Sequence, residues 1–175
     1  MSFDADQLLS QHSACECRLD RSPHSNRIGP EETSPDEAIP NHISKDNCTL
    51  TIEGLIAAFD CDECAAFEPD ELRPDAIALR ECDGSNQWIV SEMKLTMRER
   101  AGRQAAAGLA KLGNHPLYAA QLDSAEVVFV VKRRRKSDRT IMRAIGTIRE
   151  GHWVVNPLLL DSGSTHTCPT AGLLE

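Results

Sequence analysis

Aromatic residues are scarce in this 175-residue chain, at 4 % of positions, so aliphatic side chains and alanine must fill whatever interior it forms. No apolar run approaches the ~20 residues that a spanning helix requires. The opening stretch, MSFDADQLLSQHSACEC, has neither the basic region nor the apolar stretch of a leader. These absences predict a chain with no membrane partner, placed in the cytoplasm. An even cysteine count is missing too. Seven thiols without an export signal point to reduced cysteines or metal ligands rather than a disulfide framework. The length suits one domain with extensions, and is too short for two ordinary domains.

What is present is unevenly spread. The net charge of −8 argues against a nucleic-acid partner until the chain is divided. Residues 1–93 carry 6 Lys and Arg against 20 Asp and Glu, residues 94–149 carry 13 against 4, and residues 150–175 carry none against 3. A polyanion meets a local patch and not the total charge, so a basic face on an acidic molecule follows; a solvated basic hairpin is the plainer alternative.

Residues 1–46 are rich in Ser, Pro, Asp, Glu and Asn and read as a flexible arm, because they cannot bury enough surface to offset the entropy of ordering. Residues 47–155 read as one folded domain and 156–175 as an irregular C-terminal extension. Within the domain, Leu50, Ile52, Leu55, Ile56 and Phe59 match one face of a short helix. DAIALREC and QWIVSEMKL, around the turn DGSN, make a hairpin of residues 75–82 and 87–95. Thr96 and Glu99 have the spacing of a capping box ahead of an alanine-rich helix that ends at Gly113. SAEVVFVV is a buried strand, and RTIMRAIGTI is a further strand or a helix. The fold class is therefore α/β, a mixed central sheet flanked by helices.

If the hairpin forms, Asp75 and Glu92 project into one cleft, and Lys94, two residues beyond Glu92, shares its side of the strand. Trp88 and Val90 have the same parity, so that face is apolar beneath the helix and polar at its mouth. Two carboxylates can hold a magnesium-type ion, and a lysine beside them can steady charge developing on a phosphate. Pro74-Asp75 followed by Glu92-Met93-Lys94 resembles the PD-(D/E)xK nuclease superfamily over about residues 49–135. The resemblance implies a restriction endonuclease-like core and metal-dependent cleavage of DNA. It also implies Mg2+ or Mn2+ held by Asp75, Glu92 and the Met93 carbonyl, and Lys94 positioning or activating water. Many such proteins add a glutamate on the preceding helix and a glutamine on the following one, roles for which Glu53 and Gln104 are placed. Where one branch carries a tyrosine four residues after that glutamine, this chain has Gly108.

The basic run Lys132, Arg133, Arg134, Arg135, Lys136 and Arg139 follows the apolar strand and could grip phosphates without reading sequence. With few aromatics to stack on bases, duplex backbone is favoured over single strands. Cys61 and Cys64 have zinc-knuckle spacing, and Cys48 and Cys82 could complete a four-thiolate zinc or iron–sulfur site; His12, Cys15 and Cys17 are a fainter set. So small a chain needs a larger protein partner, or a second copy, to choose its substrate. A non-catalytic interaction protein with a nuclease-like fold and a cysteine-organised structural subunit are the competing readings.

Overall fold

The computed structural model describes residues 42–62, 67–112, 114 and 124–169. In chain order its strands are β1 (His42–Lys45), β2 (Cys48–Ile52), β3 (Leu55–Asp60), β4 (Ala76–Cys82), β5 (Ser85–Lys94), β6 (Ala125–Val131), β7 (Ile148–Glu150), β8 (Trp153–Val155), β9 (Leu158–Asp161) and β10 (Ser164–His166). Helix α1 (Arg100–Lys111) lies between β5 and β6, and α2 (Asp138–Ile145) between β6 and β7.

A five-stranded sheet in the order β3-β4-β5-β6-β9 forms the centre. It is mixed: β3/β4 and β4/β5 are antiparallel, β5/β6 and β6/β9 parallel. Both of its faces are covered, which is why β4 reads as a near-continuous buried run and not as an alternation. On one face Phe59, Ile77, Trp88, Val90 and Phe129 pack with Ala101, Ala105 and Leu109 of α1, with Trp153 of the β7–β8 hairpin, and with the apolar side of α2. On the other, Ala78, Ile89, Met93, Val128 and Val130 meet Ile43, Leu50 and Ile52 of a small sheet ordered β1-β2-β10. The molecule is thus mixed α/β, as expected, but its two described helices pack on a single face and a sheet takes the place of helices on the other.

The sequence pattern predicts a helix over residues 50–59; β2 and β3 stand there instead. Cys48, Leu50 and Ile52 are buried while Thr49 and Thr51 are half-exposed, the period of a strand. Gly54 then turns the chain at φ 75°, where an added Cβ would lie 1.9 Å from the Glu81 carbonyl oxygen, so the strand pair closes only around a glycine. β1 lies inside the span expected as a flexible arm. It is hairpinned to β2 through Asp46 and Asn47, both at positive φ (51° and 62°), a conformation that Asp and Asn tolerate better than most residues. The rest of that arm, with His12, Cys15 and Cys17, lies outside the described residues.

Two other expectations are corrected. The capping box does not form: α1 begins behind Glu99 with no side-chain cap. The C-terminal extension is not irregular, because β9 is the fifth strand of the central sheet and β10 pairs in parallel with β2. The β4–β5 hairpin and β6 stand where the pattern put them, and RTIMRAIGTI divides into α2 and β7. No helix among the described residues is long and apolar enough to cross a membrane.

Candidate active site

The β4–β5 register pairs Ala76 with Ser91, so Asp75, just ahead of β4, arrives beside Glu92 and Met93. Its carboxylate takes over from the backbone ladder: the Met93 amide donates to Asp75 Oδ2 at 2.7 Å. The Asp75 carbonyl in turn accepts from the Cys61 amide at 3.2 Å, tying it to the end of β3. Glu92 points to the same face of β5 as Trp88 and Val90, and is 1 % exposed.

Lys94 closes the group. Its Nζ lies 3.0 Å from Asp75 Oδ2 and 2.9 Å from Glu92 Oε2, so the two carboxyl oxygens can be no farther apart than the sum of those lengths. The approach to Asp75 is a hydrogen bond; the approach to Glu92 is an ion contact outside hydrogen-bond geometry. Glu92 Oε2 is thus paired with the ammonium, while Oε1 is buried without a hydrogen-bond partner. Burial first, and the Asp75 charge second, push the Glu92 carboxyl up to about 8. Burial pulls Lys94 the other way, but Glu92 and Asp75 outweigh it, and the ammonium form is favoured.

A second lysine, absent from the sequence-derived set, approaches from the other face. Lys45 of β1 is buried and donates to Asp60 Oδ1 at 3.0 Å and Asp62 Oδ2 at 2.6 Å, with its Nζ 3.8 Å from Asp75 Oδ1. The small sheet is thereby fastened beneath the candidate centre. The signal was the alternation in HISK and NCTLTI around an Asp-Asn turn, hidden by the polar composition on either side.

Gln104 of α1 donates to the Arg73 carbonyl at 3.0 Å. With Arg100 it forms a wall shared by two cavities: one of about 540 Å³ reaching Lys94, and one of about 230 Å³ reaching Asp75. Asp75, Glu92, Lys94 and Gln104 are thus gathered at one end of β5. The Lys94 carbonyl accepts from the Lys132 amide on the β6 side. By strand alternation the Met93 carbonyl, like its amide, faces the β4 side, past the point where β4 begins.

Glu53 is not part of this group. It lies in the β2–β3 turn, where its Oε2 accepts from the Cys168 amide at 2.6 Å. That turn meets the far end of β4 through Glu81, a strand length of roughly 20 Å from Asp75. The four-cysteine set also fails. Cys82 is disulfide-bonded to Cys168, contrary to the expectation of reduced thiols, and a disulfide sulfur is no thiolate ligand. Such a bond also sits awkwardly with a reducing cytoplasm. Cys48 and Cys61 are buried outside it, and Cys64 lies outside the described residues.

The basic run is exposed from Lys132 to Lys136, and again at Arg139. Arg134 is committed within the fold, donating to Asp161 Oδ1 at 2.8 Å and to the Leu159 carbonyl at 3.0 Å. Arg135 faces the cavity that reaches Lys94.

A divalent cation suits this donor set. A buried carboxyl, one oxygen of which is paired with Lys94, stands beside a second carboxylate and a carbonyl, and magnesium-type ions are commonly held by one or two carboxylates completed by water and phosphate. Among the described residues no cluster of three His, Cys, Asp or Glu side chains is placed to hold a metal, so such an ion would depend on non-protein ligands as well. Comparison of the chain with family models, with curated proteins and with solved structures gives no match, and the likeness to the nuclease superfamily rests on these residues alone.

Proposed function

We propose that the chain is a metal-dependent nuclease with a restriction endonuclease-like core that hydrolyses DNA phosphodiester bonds. The observation that carries this reading is the meeting of Asp75 and Glu92 at one lysine ammonium, inside the fold and at the end of one hairpin. Asp75, Glu92 and the Met93 carbonyl would hold Mg2+ or Mn2+, which when bound supplies neutralisation of phosphate oxygens and acidification of water. Lys94, part-exposed toward the larger cavity, then turns its ammonium to the scissile group, where it orients water and offsets developing negative charge. The Met93 amide keeps Asp75 in place through the cycle, and Lys45 holds it from beneath. Gln104 and Arg100 stand where a phosphate strand would pass between the two cavities. A larger protein partner, or a second copy of the chain, is proposed to choose the site of cutting.

The test combines cleavage with metal binding, since a partner-dependent enzyme can be idle alone. Supercoiled and linear DNA are incubated with the full chain in Mg2+ or Mn2+, and Mn2+ binding is followed by electron paramagnetic resonance. Asp75→Asn, which keeps an acceptor for the Met93 amide, and Lys94→Ala are expected to lower cleavage by about 100-fold or more. Asp75→Asn and Glu92→Gln are expected to abolish Mn2+ binding. A parent chain that neither binds Mn2+ nor cuts, or variants that cut as well as the parent, would overturn the assignment.

A further inference from the structure

Eight residues of α2 carry two arginines four apart, Arg139 and Arg143, hence on one side of the helix, while Ile141, Met142 and Ile145 turn to the core. Both arginines line a cavity of about 870 Å³ bounded by the β6–α2 loop and by the stretch before β9, with Arg135 and Lys136 on its rim. Arg135 also lines the cavity that reaches Lys94, where Arg98 and Arg100 stand. The two hollows are therefore one track. Its six cations, Arg98, Arg100, Arg135, Lys136, Arg139 and Arg143, are all exposed, and none has an ion pair with another described residue. Arg134, by contrast, is neutralised by Asp161 and is not counted with them.

Six exposed cations grouped in this way, with the buried Asp138 as the carboxylate lining the larger hollow, repel one another, and a bound polyanion relieves that repulsion. Among the described residues no aromatic ring lines either hollow to offer a platform for unstacked bases, and the complementary ligand is a phosphate backbone held by charge. We infer that Arg139 and Arg143 form a second phosphate-binding subsite, away from the carboxylates, which seats the backbone of duplex DNA and leads it through Arg135 to Lys94. This deepens the nuclease reading and rests on it for the identity of the ligand.

Binding of a short fluorescein-labelled duplex to the full chain is measured by anisotropy in EDTA over a range of salt. The double variant Arg139→Ala/Arg143→Ala is expected to bind at least about tenfold more weakly in moderate salt, with the slope of log affinity against log salt reduced by about two. Arg103→Ala/Arg149→Ala removes the same charge from exposed positions off the track, and is expected to lose much less. The single strand of the same sequence should bind more weakly than the duplex. Equal losses for the two double variants, an unchanged slope, or single-strand binding as tight as duplex binding would overturn the inference. The two readings fail separately. A parent that grips duplex through these arginines but neither binds Mn2+ nor cuts ends the nuclease assignment alone, and a parent that cuts while the α2 variant binds undiminished ends this one alone.

Discussion

Arg80 has no exposed surface, yet each arm of its guanidinium is met. Nε donates to Gln87 Oε1 at 2.8 Å, Nη1 to the Thr167 carbonyl at 3.1 Å, and Nη2 to Glu126 Oε2 at 2.9 Å; His166 Nε2 lies 2.5 Å from that same oxygen. Burial acts to raise the Glu126 carboxyl, but His166 and Arg80 outweigh it and hold the group below its ordinary 4.5. A carboxylate depressed in the folded state contributes stability that is present above the ordinary carboxyl range and is lost as pH falls through the folded value. Glu126→Gln should therefore cost about 3 kcal/mol at pH 7, since it strands a buried guanidinium. Urea midpoints of parent and variant should begin to approach one another below about pH 4.5 and meet only under the parent's lower folded value, once its own carboxylate is protonated. Identical midpoints at pH 7 would show that Arg80 gains nothing from this charge. None of this was readable from the chain, because Arg80 sits in a strand run that looks solvent-facing and its partners lie up to 87 residues away. Asp75, Glu92 and Lys94 were legible, since one hairpin brings them together and their spacing alone decides which side they share.

At the level of elements, the join between α1 and β5 sets the floor of the candidate centre. Gly108 lies where the helix comes closest: a Cβ there would stand 2.8 Å from Val90 Cγ1 and 2.8 Å from Pro74 Cγ. Gly108→Ala is thus expected to destabilise by about 1–3 kcal/mol through overpacking. Because Pro74 precedes Asp75, the Mn2+ binding proposed for that carboxylate should weaken as well. Urea unfolding and Mn2+ titration check the two effects, and a variant as stable as its parent would mean that the helix has room to move out. The hairpin was legible because Asp83-Gly84, both at positive φ, sits between two strongly patterned strands. Residues 50–59 were not, because apolar residues at 50, 52, 55, 56 and 59 fit a helix face and, with a turn at Gly54, fit two strands equally well.

Across the whole molecule, the C-terminal strands hold the layers together. β9 completes the central sheet, β10 extends the small one, and the Cys82–Cys168 disulfide joins positions 86 apart in sequence. In the chain-entropy view a crosslink of that span stabilises by about 2–4 kcal/mol. Cys168→Ser should lower the urea midpoint accordingly, and dithiothreitol should bring the parent down to the same value; a parent indifferent to reductant would mean that the bond adds nothing to stability. The sequence by itself determined the α/β class, the central hairpin and the clustering of two carboxylates with a lysine, because each depends on local periodicity, turn chemistry and spacing within one supersecondary unit. Only the tertiary structure decided that Lys45 lies under Asp75, that Glu53 stands a strand length away, that Cys82 meets Cys168 and that one arginine joins two basic hollows. Those are contacts between segments far apart in the chain, and they are selected by which faces pack together, a choice that no local pattern encodes.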